Sequence, residues 1–332
     1  MTTNTASSPV RTGPSRGIVL VLAVATGAIA ANLYYAQPLL SVMGTTLLMS
    51  PRTLGVLVTV TQVGFALGLV SSLPAADRFG RRGILLARTA SGLLAAVTSW
   101  RVVFLTAAAL MLVITLVLRR VLPHAPSTST QPYPAILRSN LSLFRAYSLL
   151  RQRALFGAIG FAAFSAFWAT LGLHRAASPF TLSTATIGLI GLLGAGGALA
   201  ANVAGRIRLA HRSAPTVVAV LLIGAAFALL WAGASNLVAI LIGVVILDVG
   251  VQMLHVLSQR LVHEIDPAAR NRVNSISMTF YFIGGAMGSG AATTAWSRTG
   301  WTGVCILGLV LAAIGLLLQA VGRRSGAGQL TQ

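Results

Sequence analysis

Lysine is absent from this 332-residue sequence, acidic residues number four, and cysteine occurs once. Each shortage excludes something. Soluble domains run near 25% charged residues; at 8% this chain lacks the polar surface that a water-soluble core needs. The single Cys305 lies in an apolar run, which excludes an internal disulfide framework and a cysteine-based metal site. The acids are Asp77, Asp248, Glu264 and Asp266, and no Ser/His/Asp constellation forms around them. His263-Glu264 lacks the second histidine of a zinc-protease helix. No enzyme activity, metal or cofactor is expected.

What the sequence has in abundance is apolar residues, 56% of the chain. The mean hydropathy is +0.85. Ten apolar stretches are readable: 17–40, 54–76, 83–97, 102–118, 154–173, 187–204, 217–234, 237–256, 276–295 and 301–321. Most reach the roughly 17–25 residues that a helix needs to cross the hydrocarbon. The third is short and carries Arg88. The expected fold is an all-α, polytopic membrane protein of about ten spans, with the lipid bilayer as its solvent.

All 24 basic residues are arginine, and the net charge is +20. In a soluble chain such an excess points to nucleic acid. Here the arginines fall in short clusters between apolar runs, as orientation in a membrane requires, so no nucleic-acid partner is expected. With a cytoplasmic N-terminus, only Arg52, Arg101, Arg175 and Arg298 lie in outer segments. Of the remaining 20, 19 lie in inner segments and Arg88 lies in a span. Removing any one span scrambles this alternation, so the bias supports both the count and the direction. It also makes residues 1–16 and 325–332 cytoplasmic tails. Ala28-Ile29-Ala30 resembles a signal-peptide cleavage site, but the apolar run continues to Leu40 and reads as a span.

Residues 121–150 divide the chain into an N-terminal bundle over 17–120 and a C-terminal bundle over 151–324. Pro123, Pro126, Pro132 and Pro134 exclude a regular helix where they stand. From Ala135 an amphipathic pattern begins, with Ile136, Leu143, Tyr147 and Leu150 on one side and Arg138 and Arg145 on another. It suits either the inner membrane surface or a solvated linker helix.

The two bundles share landmarks, as transporter repeats do. Trp100-Arg101 opens an apolar run ending at Arg119-Arg120, and Gly300-Trp301 opens one ending at Arg323-Arg324. Arg78, Arg81 and Arg82 have counterparts in Arg206, Arg208 and Arg212. Yet Arg82 and Trp100 are only 18 residues apart, against 95 between Arg206 and Trp301. The first bundle is short by about two helices with their loops, leaving four spans against six.

Several segments resemble the major facilitator superfamily, in a bacterial efflux-like branch. Ala31-Asn32-Leu33-Tyr34-Tyr35-Ala36-Gln37-Pro38-Leu39-Leu40 is similar to that branch's first helix. Asp77-Arg78-Phe79-Gly80-Arg81-Arg82 matches the core of the family's signature loop between helices two and three, although Leu73 stands where its first glycine belongs. Asp248-Val249-Gly250-Val251-Gln252 resembles the tenth helix. Arg270-Asn271-Arg272-Val273-Asn274, leading to Gly284-Gly285-Ala286-Met287-Gly288-Ser289, resembles the eleventh. After Arg82 the pattern stops, and 83–97 reads like the end of the fifth helix. The resemblance therefore implies a truncated fold without its third and fourth helices. One wall of the central cavity, which the family builds from helices one, four, seven and ten, is then missing.

The resemblance implies a secondary active transporter in the bacterial cytoplasmic membrane. It would act as a monomer and move a small amphipathic solute, with proton-coupled efflux as the leading form. A transport-incompetent remnant is the alternative. Asp248 is the only acid inside a span, where a carboxylate costs about 2.5–3.5 kcal/mol and usually has a function. Gln252, His255 and Gln259 follow on the same helical face. Asp248 and His255 are the proton-coupling candidates, histidine being the side chain that changes charge near neutral pH. A buried polar seam locking helices together is the competing reading. Asn32, Tyr34, Tyr35, Gln37 and Gln252 are candidate cavity residues, the tyrosines serving equally well as an interfacial belt. Asp77, Arg78, Gly80, Arg81 and Arg82 form the expected conformational-switch loop. In the family the matching aspartate meets the start of the eleventh helix, here near Arg270 and Arg272, where unpaired N–H groups favour negative charge. The glycines at 188, 191, 194, 196 and 197 sit in a span and follow no strand, so they read as close helix packing rather than a nucleotide loop. Gly284, Gly285 and Gly288 read the same way.

Overall fold

The structure, a computed structural model, describes residues 40–71, 100–121, 133–176, 214–266 and 269–327. Every described element is helical: α1 (Leu40–Thr46), α2 (Pro51–Ser71), α3 (Trp100–Val121), α4 (Tyr133–Ala146), α5 (Ser148–Ala176), α6 (Ala214–Ala232), α7 (Leu237–Ile265) and α8 (Arg270–Ala327). The expected spans 83–97 and 187–204, and nearly all of 17–40, lie outside the described residues.

Four of these helices hold stretches long and apolar enough to cross a membrane: Ser148–His174, Ala214–Ala232, Leu237–Ile265 and Arg272–Gly322. As a straight rod the 51 residues of the last would be about 75 Å long, more than twice the ~30 Å hydrocarbon thickness. The chain breaks at Gly300, with φ 63° and ψ −146°, a conformation open mainly to glycine. Two helices result, as the separate stretches 276–295 and 301–321 lead one to expect.

The two halves of α8 pack on different partners. The first half lies along α5, with Gly284 against the backbone of Ala158 and Gly288 against that of Ala162. Four-residue spacing on both helices makes two smooth stripes, so the backbones touch directly. The second half runs antiparallel to α6. Near one end the Trp301 indole Nε1 donates to the Leu230 carbonyl at 2.9 Å. That carbonyl sits in the last turn of α6 and has no acceptor role left inside the helix. Further along, Gly308 meets Phe227, Gly224 meets Ala312 and Gly315 meets Val220. Beside Trp301, His174 stacks on the indole at 4.2 Å between centroids, and its Nε2 donates to the Ala234 carbonyl at 3.1 Å. Lipid offers no alternative hydrogen-bond partner, so such ties carry more weight here than at a wet surface.

The amphipathic segment forms a helix, and its start differs from the sequence reading. It begins at Tyr133 rather than Ala135. Pro134 is accommodated because its missing N–H falls in the first turn, where no helical bond is lost. Neither of the expected surroundings describes its apolar side. Leu143, Phe144 and Tyr147 pack on Leu150, Val262, Ala269, Val273 and Ile276, at the facing ends of α7 and α8. The Phe144 and Phe280 rings stack at 4.7 Å. The Arg151 guanidinium reaches back to the carbonyls of Phe144 and Arg145, closing the C-terminal end of α4. The side chain of Ile136 lies outside the described residues.

Candidate functional site

The site is built on α7. Asn236 caps its start, the side chain accepting from the N–H groups of Val238 (2.9 Å) and Ala239 (3.3 Å). One face is fixed by α6: Gly250 lies against the Ala219 carbonyl and Gly243 against Leu230. At 100° per residue, Asp248, Gln252, His255 and Gln259 fall about 140–200° around the helix from Gly250. The polar stripe read from the sequence thus faces away from α6. Asp248 is buried, 4% exposed. It lies roughly 17 Å along the 29-residue helix from its start, well inside the hydrocarbon depth. Gln252, His255 and Gln259 are half-buried.

An aromatic surface lies beside that stripe. The His255 ring is 4.7 Å from Tyr281 on α8, and Tyr281 stacks on Phe161 of α5 at 4.0 Å. Phe282 meets Phe161 edge-on at 5.4 Å, and Phe164 lies 5.8 Å from it. Gly285 brings the next turn of α8 down onto Phe161 and onto Gln62 of α2. The Gln62 amide, 1% exposed, donates from Nε2 to the Ser165 hydroxyl at 3.1 Å. Thr59, one turn earlier on α2, bonds the Ala286 carbonyl and the Ser289 hydroxyl, each at 3.2 Å. The aromatic, amide and hydroxyl groups of α2, α5 and α8 thus pack together, and they meet the polar stripe of α7 where His255 touches Tyr281.

The structure brings together Asp248, Gln252 and His255 on one helix. Arg270 and Arg272 stand apart from them, at the start of α8. The Arg270 Nε donates to the His263 carbonyl at 3.4 Å. There the Ala269 N–H is already taken by the Asp266 carboxylate at 3.1 Å, so the chain supplies one acidic cap to that helix start itself. Asn32, Tyr34, Tyr35 and Gln37, and the loop of Asp77, Arg78, Gly80, Arg81 and Arg82, lie outside the described residues. Gln62, Ser165, Phe161 and Tyr281 were not singled out by the sequence reading. Gln62 was within reach, being the only amide in the stretch 54–76. The aromatics were not, because a Phe or Tyr in an apolar helix reads the same whether it faces lipid, core or cavity.

Helices of this length and apolarity define an integral membrane protein. The family model of the Major Facilitator Superfamily matches residues 83–289. The match begins at the residue after Arg82, where the pattern of the signature loop stops. The chain is similar to the "Uncharacterized transporter YgaY" of Escherichia coli O157:H7, 34% identical over 374 residues that cover 92% of this chain and 95% of that protein. It is 25% identical to the "Probable transporter SCO4007" of Streptomyces coelicolor, covering 93% of this chain and 89% of the relative. Among solved structures, a mutant of the nucleoside transporter NupG has a similar fold, with a TM-score of 0.55, 13% identity, and coverage of 92% of this chain and 90% of that one. The chain belongs to the Major Facilitator Superfamily, and it is a membrane transporter of small molecules rather than an enzyme.

Proposed function

We propose that this transporter moves a small amphipathic solute across the cytoplasmic membrane by proton-coupled efflux, as a monomer of two helix bundles. The observation that carries the reading is Asp248: a carboxylate 4% exposed, in mid-helix, on the one face of α7 that turns away from α6. A buried acid in a membrane costs energy and is kept where it moves a proton or an ion. His255 and Gln252 continue its face, and Tyr281 and Phe161 supply the apolar flank for the solute. Asn32, Tyr34, Tyr35 and Gln37 are further solute contacts in this reading, and the loop from Asp77 to Arg82 acts with Arg270 and Arg272 in closing the cytoplasmic side.

Asp248→Asn keeps the shape and removes the exchangeable charge. Reconstituted into liposomes, this variant should lose movement of a fluorescent amphipathic dye driven by a pH gradient while keeping its yield. Exchange without a gradient should persist, since binding does not require the charge. Unchanged gradient-driven transport in the variant would make Asp248 a structural residue.

Both termini are cytoplasmic in this reading. Reporter fusions after Arg120 and after Arg324 should report the cytoplasm, and one at Asn236 the outside. A C-terminal reporter on the outer side would show that the span count is wrong by one.

One observation favours a second reading, a remnant that no longer transports. The stretch aligned with YgaY is 374 positions long, more than the 332 residues of this chain, so the relative carries residues that this chain lacks.

A further inference from the structure

We propose that the converging ends of α5, α6 and the second half of α8 form a binding site for the phosphate group of an anionic phospholipid. Arg153 is the centre of the site. It is only 5% exposed, and its guanidinium donates to the Thr216 hydroxyl on α6 at 2.9 Å. The guanidinium carbon lies 5.4 Å from the centre of the Phe156 ring. Its Nε has no hydrogen-bond partner among the described residues. A buried cation in this state needs a counter-ion, because desolvation penalises an isolated charge by several kcal/mol.

Among the described residues no acid pairs with Arg153. Of the chain's four acids, Asp248 is in mid-α7, Glu264 is exposed at the far end of that helix, and Asp266 caps Ala269. Asp77 lies outside the described residues.

The surroundings add further donors. Thr216 is in the first turn of α6, where backbone N–H groups have no helical partner and favour an anion. The antiparallel register of α6 and α8 runs through Leu230 with Trp301, Ala312 with Gly224, and Val220 with Gly315. One turn further it places Gln319 beside Thr216. Gln319 is 5% exposed, and its amide oxygen lacks a partner. A rotation that let this oxygen accept from the Arg153 Nε would satisfy a hydrogen bond and leave the charge uncompensated. Gln152 adds an amide where Gly322 comes close to it.

Two features select a lipid phosphate over a soluble one. Arg153 is the sixth residue of α5, about 8 Å from the start of a 29-residue helix, so it stands near one end of the span rather than at its middle. On the same side of α5, one turn nearer its start, Leu149 is exposed and gives the site an apolar rim. A molecule with a phosphate and two hydrocarbon tails meets both the buried guanidinium and this apolar rim, whereas inorganic phosphate meets only the first.

The test uses the full chain purified in mild detergent. Intact-protein mass spectrometry should show phosphatidylglycerol retained over phosphatidylcholine by roughly fivefold or more. The unfolding temperature should rise with phosphatidylglycerol and not with phosphatidylcholine or inorganic phosphate. Arg153→Gln should abolish the preference, and Gln319→Leu should reduce it. Equal retention of the two lipids by the unmodified chain overturns the proposal, whether or not the Arg153 variant folds. So does a preference that survives Arg153→Gln. A thermal shift reproduced by inorganic phosphate alone would overturn the lipid as the source of the anion.

Discussion

Gly284→Ala and Gly288→Ala should each destabilise the protein by about 3 kcal/mol or more, close to the upper end of what overpacking does. A Cβ on Gly284 would sit 2.2 Å from the Ala158 carbonyl oxygen and 2.5 Å from its Cα. On Gly288 it would meet the same atoms of Ala162 at the same distances. Backbone atoms cannot rotate away, so α5 and α8 must separate. Separation also pulls Tyr281 off Phe161 and withdraws α8 from Gln62, so the loss extends to the candidate site. Gly224→Ala is the control: its new Cβ would lie 3.4 Å from the Ala312 methyl, in ordinary contact. Alanine is the better helix former by about 1 kcal/mol, so that variant should be neutral or slightly stabilised. Thermal unfolding in detergent reads all three. Ala158→Gly should not rescue Gly284→Ala, because the atoms met are main chain. Unfolding of Gly284→Ala at the parent temperature would mean that the two helices are not in direct contact.

Those glycines also show what the sequence makes legible. Small residues at four-residue spacing within an apolar run announce a helix contact, and Gly284 and Gly288 have one. The sequence leaves out which helix is met, since Ala158 and Ala162 are ordinary alanines in an apolar stretch. The polar stripe from Asp248 to Gln259 is legible for the opposite reason: polar groups are costly in lipid and stand out against their neighbours. Its direction becomes definite only once Gly243 and Gly250 are seen against α6. The amphipathic segment after residue 133 gives its apolar side but not its receptor, which apart from Leu150 is made of residues at the facing ends of α7 and α8 more than 100 positions away. Arg153 was assigned to an inner cluster on charge alone; its burial depends on three helices meeting, and no local pattern encodes that.

Restoring the missing segment should change transport most. Alternating access rocks one bundle against the other around a site at the midplane, so each bundle must be a complete wall. The family match starts at residue 83, and the alignment with YgaY is longer than the chain. The longer alignment shows residues of the relative that this chain lacks, and the resemblance to the family's signature loop puts that loss after Arg82, in the N-terminal bundle. A chimera carrying the corresponding YgaY segment at that junction should move dye in proteoliposomes faster than the parent by on the order of tenfold. The gain should vanish when Asp248→Asn is added, because a second wall does not replace the proton carrier. A chimera that gains transport from an inert parent identifies the chain as a remnant whose C-terminal site is still intact. Equal, measurable rates in parent and chimera would make the two helices dispensable and the remnant reading wrong. If the chimera gains and Asp248→Asn leaves the gain untouched, the truncation is real and the proton passes elsewhere. The polar face of α7 would then hold helices together rather than couple transport.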